Sequence, residues 1–166
     1  VKIAAYGDDS VVAVRNLPWF NHTSIQRVLA TCGIGFTMAD KLAKSVPYIP
    51  QSEISFLKRG WRWDEDINAY VAPLDESSIA KMLTMCVPKK TICAEARDID
   101  TISTAVREYF FYGKEIFLEK RALFVKIIDE CNLQCYVKDS TLPTWEELRD
   151  NFYANSKGVN IYRKLA

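Results

Sequence analysis

Two adjacent carboxylates, Asp8 and Asp9, are the residues of this chain best placed by type and spacing to do chemistry. They follow Tyr6-Gly7 and lie between two short apolar runs, Ile3–Tyr6 and Val11–Val14. Gly takes positive φ freely and Asp tolerates it, so Gly7-Asp8-Asp9 reads as the turn of a hairpin. Both runs are apolar on successive residues, which predicts a hairpin covered on both faces, with the carboxylates pushed out at its tip. Like charges held so close repel unless a cation neutralises them. Hard divalent ions such as Mg2+ take oxygen ligands of this kind. In a two-metal site such ions hold the attacking and leaving oxygens of a phosphoryl transfer. A purely structural Gly-Asp turn is the competing reading of the same residues.

Basic side chains further along supply the complementary chemistry. Lys41 falls in a stretch without periodicity, and residues 44–51, with Pro47 and Pro50, read as a mobile loop. A lysine so placed can donate a proton to a leaving pyrophosphate, or can simply be a solvated surface charge. Lys58 and Arg59 stand late on an apolar run, and Arg62 lies between Trp61 and Trp63. Basic groups interleaved with aromatics suit a sugar-phosphate backbone, where charge meets phosphate and rings pack on sugars or bases. A solvated strand end would look the same. The only histidine, His22, opens a helix with no partner in view and reads as structural or solvated, so a His-based triad lacks support. Five cysteines form an odd set; Cys131 and Cys135 have a C-x₃-C spacing with no second pair. Reduced thiols in a cytosolic setting are the expectation.

The elements that must position these groups are legible as periodicities. Asn21 or Thr23 can cap a helix running to about Cys32, with Ile25, Val28, Leu29 and Cys32 on one face and Gly33 as its stop. Ile34–Met38 reads as a short strand. Glu53–Trp63 reads as another, turning through Asp64-Glu65-Asp66 and returning as Ala69–Leu74. From Asp75 the pattern becomes helical. Ile79, Met82, Leu83 and Cys86 form one stripe, ended by Pro88. Thr101–Tyr112 is a helix with Ile102, Ala105, Val106 and Tyr109 inward and Gly113 after it. Lys114–Asn132 is the longest helix, with Phe117, Phe124, Ile127, Ile128 and Cys131 on one side. Thr144-Trp145-Glu146-Glu147 is a capping box for a last helix. The tail carries Lys157, Arg163 and Lys164 without an assignable role.

The totals bound the possibilities. With 166 residues, 49% of them hydrophobic, the chain can form one domain or two small ones sharing a surface. A net charge of +1 leaves nucleic-acid contact to local basic clusters. No apolar run approaches a membrane span, and no signal peptide is expected. A start at Val1, directly in a strand, suggests a piece cut from something longer.

Tyr6-Gly7-Asp8-Asp9, then Gly35-Phe36-Thr37-Met38-Ala39-Asp40-Lys41, then Phe56-Leu57-Lys58-Arg59 resemble motifs C, D and E of RNA-dependent RNA polymerases of picorna-like positive-strand RNA viruses. Their order and spacing agree with that family, and the texture is nearest to dicistrovirus and iflavirus types. The resemblance implies an α+β fold: residues 1–74 as the C-terminal part of a right-hand palm and 75–166 as a helical thumb. It implies a viral RNA-directed RNA polymerase, a nucleotidyltransferase, in which a 3′-hydroxyl attacks the α-phosphate of an incoming nucleoside triphosphate. By the same resemblance Asp8 and Asp9 are metal ligands for Mg2+, with Mn2+ as the alternative, and Tyr6 and Gly7 support the motif. Lys41 matches the general acid, and Lys58 and Arg59 lie at the primer grip, with Arg62 read beside them as a further RNA- or primer-binding residue.

The implied partners are RNA template and nascent strand, nucleoside triphosphates, and the remaining fingers and palm of the same polyprotein. The implied place is the host cytoplasm, at viral replication complexes. The family's upstream metal-binding aspartate, its ribose-inspecting motif and its triphosphate-holding finger residues are absent from these residues, so the segment alone is expected to be inactive and to bind magnesium poorly. A reverse transcriptase ranks below, because Gly7 and the Lys58-Arg59 strand are not its usual form. A non-catalytic RNA-binding module and an inactive polymerase relic are the remaining alternatives.

Overall fold

A computed structural model describes residues 1–85, 91–137 and 142–157. The architecture is α+β: among the described residues there are two separate two-stranded antiparallel hairpins and five α-helices. Contacts divide the chain into two compact units, Val1–Gly60 and Trp61–Ala166.

The first unit opens with β1 (Lys2–Tyr6) and β2 (Asp9–Ala13), paired from Lys2↔Ala13 to Tyr6↔Asp9. Gly7 and Asp8 form the whole loop, and Gly7 takes φ +60°. Positive φ at the first loop position only is the type II′ pattern that matches strand twist. The second strand therefore starts at Asp9, two residues before the apolar run. The expected cover over both faces is not found. All of β1 is exposed, and only Val11 and Val12 of β2 are half-buried. Within this unit the neighbouring segments reach one strand of the pair, and a two-stranded sheet has no central strand to shield.

Asn21 caps α1 (His22–Thr31), its side chain accepting from the Ser24 N–H at 3.0 Å. Gly33, at φ +72°, ends it, with the Ile34 N–H donating to the Leu29 carbonyl at 3.0 Å. Val28 is 63% exposed and Cys32 is exposed, so the apolar face narrows to Ile25 and Leu29. Ile34–Met38 is not a strand: it has no strand partner, and the Phe36 carbonyl accepts from the Gln26 side chain instead. The expected strand 53–63 is also interrupted. Phe56 and Arg59 exchange two backbone hydrogen bonds of 3.0 Å around Leu57 and Lys58, at φ +54° and +62°. Two successive left-handed residues close a tight primed turn, and non-glycine residues hold that conformation at a cost.

The second unit contains every buried apolar residue among those described. Its hairpin, β3 (Arg62–Asp64) with β4 (Ala69–Val71), pairs Arg62↔Val71 to Asp64↔Ala69. The change of sequence texture near Leu74 and the division after Gly60 do not coincide. Ile67, Ala69 and Val71 belong to the helical core, which carries this hairpin with it. Asp64, 1% exposed, accepts from Arg62 at 2.8 Å and from the Ile67 N–H at 3.0 Å, which pins the turn.

The helices are α2 (Glu76–Thr84), α3 (Ala94–Tyr109), α4 (Lys114–Glu130) and α5 (Trp145–Asn155). Helix α3 begins seven residues before the expected Thr101, at Ala94, because Ile99 extends the buried stripe toward the N-terminus. Leu83 is partly exposed and Cys131 is exposed, so neither joins the stripe assigned to it, and Cys86 and Pro88 lie outside the described residues. Phe117, wholly buried, meets Phe110 and Trp145 edge-on, with centroids 6.5 and 5.5 Å away. Both halves of the Thr144–Glu147 capping box form. Lys157 is exposed, and Arg163 and Lys164 lie outside the described residues.

Candidate active site

One cleft of about 620 Å³ in the first unit is lined by four of the eight singled-out residues; Tyr6, Gly7, Arg59 and Arg62 do not line it. Asp8 and Asp9 line it from the β1–β2 tip, Lys41 from the loop after α1, and Lys58 from the Leu57–Lys58 turn. Thirty-three residues separate Asp8 from Lys41, and Lys58 comes seventeen later, so only folding brings them to one surface. Each is exposed, and among the described residues neither lysine forms an ion pair. Two lysines and two aspartates thus line one open, partly apolar cleft.

Local structure explains each placement. The II′ turn is short because Gly7 accepts its φ, which leaves Asp8 in the loop and Asp9 as the first paired residue of β2. Tyr6 pairs with Asp9 across the ladder and is 71% exposed. Lys41 occupies a turn closed by the Ala43 N–H on the Asp40 carbonyl, while the Asp40 carboxylate accepts from the Leu42 N–H at 3.0 Å. Asp at the first position of such a turn stabilises it through this local bond. Lys58 sits at the crest of its left-handed turn.

Arg59 and Arg62 are placed differently. Arg59 is half-buried and closes the turn through its backbone. Arg62 belongs to the second unit. Its guanidinium donates to Asp64 at 2.8 Å and to the Phe111 carbonyl at 3.0 Å, 3.3 Å from where a Cβ on Gly113 would stand. These contacts join the β3–β4 hairpin to the end of α3.

The carboxylate pair fits a hard cation by donor chemistry, since Mg2+ is commonly held by one or two carboxylates together with substrate phosphates and water. Among the described residues no group of three or more His, Cys, Asp and Glu side chains could hold a metal.

Sequence reasoning missed the partners of His22. The ring Nδ1 lies 2.8 Å from the Ser45 hydroxyl, and the ring stacks on Phe36 at 4.7 Å. Ser45 is twenty-three residues away, so nothing local in the sequence marks the pair.

The homologues of this chain are viral replicase, RNA1 and genome polyproteins. It is 32% identical over 159 residues to the RNA1 polyprotein of Satsuma dwarf virus, covering 95% of this chain and 7% of that one. It is 30% identical over 159 residues to the replicase polyprotein of Drosophila C virus, covering 92% and 9%. The genome polyprotein of rice tungro spherical virus is 35% identical over 121 residues, covering 70% and 3%. The chain thus spans less than a tenth of these relatives. No family model matches it. No helix among the described residues is long and apolar enough to cross a membrane.

Proposed function

We propose that this chain is part of a viral RNA-directed RNA polymerase, and that its 620 Å³ cleft faces the growing RNA end and the leaving pyrophosphate. The observation that carries this reading is that Asp8, Asp9, Lys41 and Lys58 all line one cleft. Acidic oxygens for a cation, a proton donor and a phosphate-binding cation are what nucleotidyl transfer requires. The ordered motifs and the replicase relatives support it. Residues 1–74 would be palm and 75–166 thumb, which makes the β3–β4 hairpin palm by its place in the chain and part of the helical unit by packing.

In this reading the 3′-hydroxyl of the nascent strand attacks the α-phosphate of a nucleoside triphosphate chosen by the RNA template. Asp8 and Asp9 would hold Mg2+, or Mn2+, which when bound supplies charge stabilisation for the phosphoryl transfer. Lys41 donates a proton to the departing pyrophosphate, and its turn keeps that ammonium at the cleft wall. Lys58 neutralises a backbone phosphate of the nascent strand. Arg59 shapes the turn that presents Lys58. Arg62, bonded to Asp64 and Phe111, ties the β3–β4 hairpin into the helical unit, and its partly exposed guanidinium would be the further contact to the primer strand. The remaining fingers and palm come from the same polyprotein, and the enzyme works in the host cytoplasm at replication complexes. Two carboxylates without a third leave the segment alone inactive and a poor magnesium binder.

Primer extension by the longer polymerase chain tests the reading. RNA template and ribonucleotides are expected to be preferred over their deoxy counterparts, and Lys41→Arg to slow incorporation by about a hundredfold, the scale of a lost general acid. Preference for DNA would indicate a reverse transcriptase. RNA binding without incorporation by a folded wild-type chain would indicate a binding module or an inactive relic.

A further inference from the structure

We infer that His22 is a positioning residue for Lys41, holding the loop that carries it against the first turns of α1; this rests on the polymerase reading of the cleft. The loop is fastened to α1 at both feet. At its start, the Gln26 amide donates to the Phe36 carbonyl at 2.7 Å, and Phe36 stacks on the His22 ring at 4.7 Å and 28°. At its end, Ser45 meets His22 Nδ1 at 2.8 Å and the Thr23 hydroxyl at 3.2 Å, and the His22 N–H donates to the Pro47 carbonyl at 3.1 Å. Lys41 lies midway, in the Asp40–Ala43 turn, and residues 39–44 are all exposed.

One side chain therefore touches both feet of the loop. The imidazole presents a face to Phe36 and Nδ1 to Ser45, while Nε2 is buried without a partner among the described residues. A buried polar atom left unsatisfied is a cost that a phenyl ring at this place would not carry. The ring is kept where it both stacks and hydrogen-bonds, and that combination fixes the distance between the feet. With that distance fixed, the Lys41 turn has a defined base on the cleft wall. A proton donor displaced by about 1 Å can lose up to a hundredfold in rate.

The test is a double-mutant cycle in the longer polymerase chain, measuring single-nucleotide incorporation on an RNA primer-template. His22→Ala is expected to lower kcat by about tenfold to a hundredfold with KM for the nucleotide within about twofold. In a Lys41→Arg background the same change is expected to cost less than about twofold, because the group it positions is already gone. His22→Phe keeps the stack and loses Ser45, and should fall between wild type and His22→Ala. Ser45→Ala should reproduce the defect and Ser45→Thr restore it, which keeps the test open if His22→Ala does not fold. Equal losses in the Lys41 and Lys41→Arg backgrounds, a rise in KM alone, or unchanged kcat would overturn the inference. If Lys41→Arg itself incorporates at the wild-type rate, or wild type does not incorporate at all, the parent reading fails, and the inference fails with it.

Discussion

The two units of this chain are built on opposite principles. Trp61–Ala166 holds all the buried apolar residues among those described, with Phe117, Ile67 and Ile79 fully enclosed. Val1–Gly60 holds none, yet it carries the whole cleft and the four ionisable side chains proposed to act there. Its apolar residues are exposed in number: Ile3 65%, Tyr6 71%, Leu42 96%. Burial of apolar area drives folding, and buried positions resist change, whereas a reacting surface has to stay open to its substrates. Stability and chemistry are thereby separated along the sequence, and mutations should sort accordingly.

The largest expected effect is in the helical unit. Phe117→Ala removes a ring in contact with Phe110 and Trp145 and should cost about 3–5 kcal/mol in denaturant unfolding. A loss under about 1 kcal/mol would break the contrast between the units. Asp64→Ala comes next. It strips a partner from Arg62 and from the Ile67 N–H, and should cost about 1–3 kcal/mol, moderated because Arg62 is 36% exposed. Thr144→Ala removes the α5 cap and should cost about 1 kcal/mol.

A pH dependence belongs to the same cap. The Thr144 backbone N–H, then its hydroxyl, hold the Glu147 carboxyl below the ordinary glutamate value. The folded state thus binds this proton less readily than the unfolded state. Its contribution is present above the unfolded pKa and is lost as pH falls through the lower folded one. Thermal unfolding should show a stability loss on acidification that Glu147→Gln reduces; an unchanged acid slope would contradict it. The smallest effect is expected in the first unit, where Ile3→Ala should stay within about 0.5 kcal/mol despite removing an apolar strand residue.

The same contrast governs what could be read from the sequence. Helical stripes were legible where a core exists. Ile102, Ala105, Val106 and Tyr109 are buried as their spacing indicates, and the Thr144 capping box forms in full. In the first unit periodicity misled. Ile3 and Ala5 looked enclosed and are exposed, and Ile34–Met38 looked like a strand but hydrogen-bonds to a glutamine side chain. Apolar periodicity reports a buried face, and this unit has little of one. What stayed legible there was turn chemistry: Gly7 at its positive φ, Gly33 ending α1, Asn21 capping it. The break at Leu57-Lys58 was hidden because neither residue type favours positive φ. The acidic pair and both cleft lysines were visible as residue types. Their convergence was not, since it depends on contacts between segments far apart in sequence, as does the His22–Ser45 pair.

The central claim is that the exposed unit carries the chemistry without carrying the stability. Asp8→Asn, made in the longer polymerase chain and read in two ways, tests it most directly. Magnesium-dependent incorporation on an RNA template should fall by at least about a hundredfold, on the scale of lost transition-state charge stabilisation, while the unfolding midpoint stays that of wild type. Incorporation that survives the substitution, or a loss accompanied by a matching fall in the midpoint, would contradict it.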